Sequence, residues 1–115
     1  MAGRLTTHVL DTSIGKPAAG LKLTLRRLVD GEVLAERVTN QDGRVDGPLL
    51  EGANFAAGNY ELVFEVGDYF RAGGLTLPDP AFLETVPIRF GLSEGAHYHV
   101  PLLVSPYGYS TYRGS

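Results

Sequence analysis

Residues 60–66 read YELVFEV, and the fold follows from how they alternate. Tyr60, Leu62, Phe64 and Val66 fall on one face of an extended chain, with Glu61, Val63 and Glu65 on the other. Successive side chains of a strand point to opposite sides, so this pattern buries one face and leaves the other to solvent. The same period recurs upstream in LKLTLRRL (21–28), where Leu21, Leu23 and Leu25 alternate with Lys22, Thr24 and Arg26. Downstream, TVPIRF (85–90) groups Val86, Ile88 and Phe90, and HYHVPLLV (97–104) groups Tyr98, Val100, Leu102 and Val104.

Turn chemistry separates these runs. Asp30-Gly31 lies between LKLTLRRLV and EVLAERVT and marks a hairpin. NQDGRVDGP (40–48) is a loop by composition, and LPDP (77–80) and SEG (93–95) break the chain later. Pro87 and Pro101 fall inside strand-like runs, which predicts edge positions or bulges. DYFRAGG (68–74) predicts one short helix, with Asp68 as cap and Gly73-Gly74 as stop. Seven to eight short strands then make an all-β, antiparallel sandwich, a single domain over residues 1–115.

With 115 residues the chain can bury a core of its own. Its net charge is −3 and no basic stripe is present, which argues against a nucleic-acid partner. No apolar run reaches the length of a membrane span, so no membrane role is expected. MAGRLTTHVLDTS lacks the apolar centre of a signal peptide, and a cytoplasmic location is the expectation. The absence of cysteine excludes disulfides, thiolate nucleophiles and cysteine-based zinc sites.

The three histidines, His8, His97 and His99, are the residues that carry chemistry. His8 shares a strand face with Thr6 and Leu10. His97 and His99 are two apart and share a face with Pro101, Leu103 and Ser105, opposite the apolar set. Surface or interface imidazoles are the bland explanation. A three-histidine zinc site with an open position for water is a second. Metal-free acid–base chemistry is a third: a neutral imidazole takes a proton from water, and an arginine stabilises charge on a carbonyl oxygen. Arg44, after Asp42-Gly43, is placed on a loop suited to that task, or else is a solvated surface arginine. YGYSTYRGS (107–115) reads as an aromatic edge strand suited to a partner subunit.

Three stretches, LTTHVLDTSIGKPA (5–18), TNQDGR (39–44) and HYHVPLLVSPYGYSTYRGS (97–115), together resemble the transthyretin-related family of 5-hydroxyisourate hydrolases. The resemblance runs from Leu5 to Ser115, and its most specific element is the terminal Tyr-Arg-Gly-Ser. It implies a transthyretin-like β-sandwich with one short helix, assembled as a homotetramer, a dimer of dimers, with active sites in clefts between dimers. It implies hydrolysis of 5-hydroxyisourate to 2-oxo-4-hydroxy-4-carboxy-5-ureidoimidazoline in urate degradation, with no cofactor and no metal. His8, Arg44 and His99 match the family's catalytic residues. His8 and Arg44 also bind substrate, together with Tyr112, Arg113, Gly114 and Ser115 of the terminal tetrapeptide. His97 is a supporting candidate behind His99. No motif matches in VDGPLLEGANFAAGN (45–59). A non-enzymatic transthyretin-like carrier and a zinc hydrolase on the three histidines are the alternatives.

Overall fold

The structure, a computed structural model, describes residues 3–93 and 95–114. Among these, the strands in chain order are β1 (Arg4–Asp11), β2 (Lys16–Pro17), β3 (Lys22–Arg27), β4 (Val33–Val38), β5 (Leu50–Glu51), β6 (Gly58–Phe64), β7 (Val86–Leu92), β8 (His97–Ser105) and β9 (Gly108–Thr111). One α-helix, α1 (Val66–Ala72), follows β6, and a single 3-10 turn spans Gly52–Asn54. One sheet runs β2-β1-β8-β9, with β5 also on β1; the other runs β4-β3-β6-β7.

The period-two pattern sets which faces meet. Leu23, Leu25, Leu62, Phe64 and Val86 from one sheet, with Leu21 just ahead of β3, pack with Leu5, Val9, Leu102 and Val104 from the other, all with no exposed surface. Each such side chain contributes about 1.5–3 kcal/mol on burial, and a one-residue slip would turn the whole set outward. The same alternation sends Thr6, His8 and Leu10 of β1, and His97, His99 and Leu103 of β8, to the outer face, where none is fully buried.

The structure departs from the sequence reading at three points. First, β1 and β8 pair in parallel, from Arg4 beside His97 to Asp11 beside Val104. The entire second sheet is built between them, so no hairpin dictates their direction. Second, Pro101 sits in β8, an interior strand, whereas Pro87 is on the edge strand β7 as expected. Pro101 is tolerated because the β9 ladder ends at Leu102–Thr111, and Thr111 Oγ1 donates to the Pro101 carbonyl at 2.7 Å. Third, Asp68 is not the helix cap. The helix starts at Val66, because the Gly67 N–H donates to the Glu84 carbonyl at 2.9 Å, and the strand ends at Phe64. Arg71 on α1 pairs with Glu84 at 2.7 Å and, with the Ala81 N–H, holds that carboxyl down at about 2. The Asp30-Gly31 hairpin is as expected: β3 and β4 pair antiparallel on either side of it, in a connection closed by Arg27 and Glu32.

The outer edge of β1 is completed in pieces. β5 pairs at Arg4–Leu5, β2 pairs at Leu10–Asp11, and between them Arg44 bridges His8. The Asn40 side-chain oxygen accepts the Asp42 and Arg44 N–H groups at 2.9 and 3.1 Å, an Asx turn that shapes this loop. The Val9 N–H donates to the Gly43 carbonyl at 2.8 Å. Gly43 has φ 73°, and a Cβ there would collide with the Val9 carbonyl oxygen. Gly43→Ala is therefore expected to lower stability by about 1–3 kcal/mol from the backbone conformation alone, with the collision adding to it. Thermal unfolding reads this as a lowered Tm; an unchanged Tm would mean the loop does not dock on β1 as described.

Candidate active site

The register of β1 against β8 assembles the polar cluster. Thr6 lies beside His99, His8 beside Pro101 and Arg4 beside His97, so residues distant in sequence share one outer face. Thr6 Oγ1 lies 2.8 Å from His99 Nδ1 and 3.0 Å from His97 Nε2. The docked loop brings Arg44 alongside through its bridge to His8. Arg4, Thr6, Arg44, Val45, His97 and His99 border a cavity of about 390 Å³. That volume suits a small polar ring. His8, the next outward residue of β1 beyond Thr6, does not line the cavity, although it is near enough to His99 to act on it electrostatically.

The electrostatics favour neutral imidazoles. Burial pushes the His99 pKa below that of an ordinary histidine, and the positive charge of Arg44 and the neighbouring His8 and His97 push the same way. His8 is lowered by burial and by Arg44, against the opposing pull of a hydrogen bond to the Asp42 backbone and the Asp42 charge. Near neutral pH both rings therefore have a nitrogen lone pair available for a proton.

The terminal segment divides. The Gly114 N–H donates to the His99 carbonyl at 2.7 Å, and a Cβ at Gly114 would lie 2.6 Å from His99 Cδ2. Only glycine fits so close to the ring. Tyr112 and Arg113 do not reach the cavity. The Arg113 guanidinium stacks 4.1 Å over the Tyr98 ring, and both residues border a separate cavity of about 240 Å³ with Tyr98 and Val100. Ser115 lies outside the described residues.

Thr6, Arg4, Val45 and Gly47 border the histidine-lined cavity without having been assigned a role from the sequence. The signal for Thr6 and Arg4 was present, since both share the period-two face of His8. Val45 and Gly47 follow Arg44 in a stretch with no motif, and only the docking of the loop reveals them. Among the described residues, no three His, Asp or Glu side chains form a group placed to hold a metal ion. Among the same residues, no helix is long and apolar enough to cross a membrane.

A two-sheet sandwich that carries neutral imidazoles and a guanidinium on one outer face defines a class: a rigid platform presenting a small polar site. The HIUase/Transthyretin family model matches residues 5–114, and the chain belongs to that family. It is 68% identical over 117 residues to 5-hydroxyisourate hydrolase 2 of Rhizobium meliloti (strain 1021), spanning 99% of this chain and 98% of that protein. The structure of Klebsiella pneumoniae 5-hydroxyisourate hydrolase superposes with a TM-score of 0.84 at 40% identity, covering 98% of this chain and 99% of that one. The crystal structure of (S)-allantoin synthase superposes with a TM-score of 0.94 at 48% identity, over 99% of this chain; this chain spans only 44% of that one.

Proposed function

We infer that this protein hydrolyses 5-hydroxyisourate, opening its six-membered ring by metal-free attack of water on an amide carbonyl. The observation that carries the reading is that His99 and Arg44, from a strand and a docked loop, border one small cavity, with His8 bridged to Arg44 next to them. The substrate is planar and rich in carbonyls. Arg44 offers a fork of donors to its oxygens and stabilises the oxyanion that forms on attack. One imidazole accepts the proton of the attacking water, and the other orients that water or protonates the leaving nitrogen. The relatives reported above support this substrate.

The active assembly in this reading is a homotetramer, a dimer of dimers. Two features support it. The cavity is open on the single chain, with Arg44 exposed at its rim, and the edge strand β9 and the aromatic rings of Tyr107, Tyr109 and Tyr112 are exposed. In the assembly the terminal residues Tyr112, Arg113, Gly114 and Ser115 help wall clefts between dimers. A carrier function is less well supported, because the cavity is bordered by arginines and histidines rather than by an apolar lining. A zinc site is less well supported because Thr6 engages one nitrogen of each of His97 and His99.

The test is to generate 5-hydroxyisourate from urate with urate oxidase and follow its ultraviolet decay with and without the protein. Acceleration is the expected result; no acceleration by folded protein would refute the reading. The pH dependence is a further check. The folded pKa values of His8 and His99 lie below 6.5, so both rings stay neutral at pH 7 and gain a proton only as pH falls below 6.5. The acid limb of kcat/KM is therefore expected to have its midpoint below pH 6.5. A midpoint above that value would contradict a neutral-imidazole base.

A further inference from the structure

We propose that Thr6 and His97 are positioning residues that make His99, rather than His8, the general base. The inference rests on the hydrolase reading for its chemistry and on the Thr6 contacts for its geometry. A threonine hydroxyl has one hydrogen and two lone pairs, and a neutral imidazole has one N–H and one acceptor nitrogen. Thr6 Oγ1 lies within hydrogen-bond distance of His99 Nδ1 and of His97 Nε2. With its single hydrogen it can donate to only one of the two rings. The protonation of one imidazole is thereby tied to that of the other.

The charges around the cavity choose the direction. Arg44 and Arg4 both border it, and Arg44 acts on His99 through its positive charge. With Nδ1 turned to Thr6, Nε2 is the nitrogen left for the cavity that the two arginines border, and near cations a lone pair is favoured over an N–H. In the proposed arrangement His99 therefore keeps its hydrogen on Nδ1, which donates to Thr6 Oγ1. The Thr6 hydroxyl donates in turn to Nε2 of His97, which is exposed and carries its own hydrogen on Nδ1. Gly114, packed against His99 Cδ2, restrains the ring from the other side. This order leaves the Nε2 lone pair of His99 unengaged by Thr6 and ready for water. An oriented base backed by a third group is the arrangement that nucleophile-activating sites use repeatedly.

The step balances. The water oxygen bonds to the amide carbon while one water O–H breaks and its proton goes to His99 Nε2. The carbonyl π electrons move to the oxygen, where Arg44 faces them. The imidazolium keeps its Nδ1–H on Thr6, whose hydroxyl stays on His97. When the C–N bond breaks, the proton on Nε2 passes to the leaving nitrogen, and His99 returns to its starting form.

The experiment combines turnover with nuclear magnetic resonance of the imidazole nitrogens. Thr6→Val is expected to lower kcat about 100-fold, in the range of a general-base contribution, with KM within about twofold. Thr6→Ser, which keeps the hydroxyl, is expected to stay within about threefold of the parent protein. His97→Ala is expected to cost about tenfold, and His97→Asn, whose amide oxygen can accept from Thr6, to recover most of it. The ¹⁵N shifts of His99 in the parent protein are expected to show Nδ1–H and an unprotonated Nε2, and Thr6→Val to lose that preference. Normal kcat in Thr6→Val, equal loss in Thr6→Ser, or an Nε2–H form of His99 in the parent would each overturn the proposal. Should Thr6→Val fail to fold, Thr6→Ser and the parent spectrum still decide. Absence of any hydrolysis by the parent would instead refute the hydrolase reading, and the nitrogen shifts report on the tautomer independently of it.

Discussion

Replacing His99 with alanine is expected to reduce kcat by about 10²–10⁴-fold while leaving the fold in place. His99 is on the outer face of β8, and the core face of that strand, Tyr98, Val100, Leu102 and Val104, is untouched by the change. The backbone bond between the His99 carbonyl and the Gly114 N–H does not depend on the side chain. Loss of turnover with unchanged circular dichroism and Tm is therefore the predicted pair of results. Near-normal turnover would show that the cavity of this strand pair is not where the chemistry happens.

Arg44→Ala is expected to lower kcat by about 10²–10³-fold, the usual cost of removing a group that stabilises a developing oxyanion. KM should rise as well, because in the proposed mechanism the same guanidinium also binds the ground-state carbonyls. The loop itself should survive. Its position is set by backbone groups, with the Asn40 N–H donating to the Arg44 carbonyl at 2.7 Å and the Asn40 side chain accepting the Arg44 N–H. Arg44→Lys separates charge from geometry. A lysine restores the charge but not the planar fork, so only partial recovery is expected. Full recovery by lysine would reduce the role of Arg44 to simple attraction, and unchanged kcat in Arg44→Ala would remove it from the mechanism.

The two-sheet arrangement was legible because burial enforces a period of two. Leu21, Leu23 and Leu25, and likewise Tyr60, Leu62 and Phe64, are buried on the face that their spacing assigns. The shared outer face of His97 and His99 was legible for the same reason. What remained hidden depends on which strands meet. Nothing local indicates that β1 lies parallel to β8, yet that register alone puts Thr6 beside His99. Thr6 looked like an ordinary strand residue, and its hydroxyl acquires meaning only with two imidazoles within reach. The helix start was misplaced because a tertiary hydrogen bond from Gly67 to Glu84 outweighs the capping preference of Asp68. Pro101 was assigned to an edge or a bulge because a proline lacks an N–H. The structure instead ends the neighbouring ladder just short of it.

The terminal tetrapeptide shows where a motif and a single chain part company. Gly114 touches His99, while Arg113 turns away to stack on Tyr98. Sequence spacing treats the four residues as a unit. The backbone instead sends two of them to different sides of β8, with Arg113 over a ring that belongs to its core side and Gly114 on the imidazole of its outer side.

The central claim is that imidazoles and a guanidinium, with no metal ion, activate water for ring opening. The most direct measurement is the decay of enzymatically generated 5-hydroxyisourate in the presence of the protein after exhaustive treatment with EDTA. The account predicts acceleration undiminished by the chelator. Acceleration that disappears on chelation and returns with added zinc would contradict it.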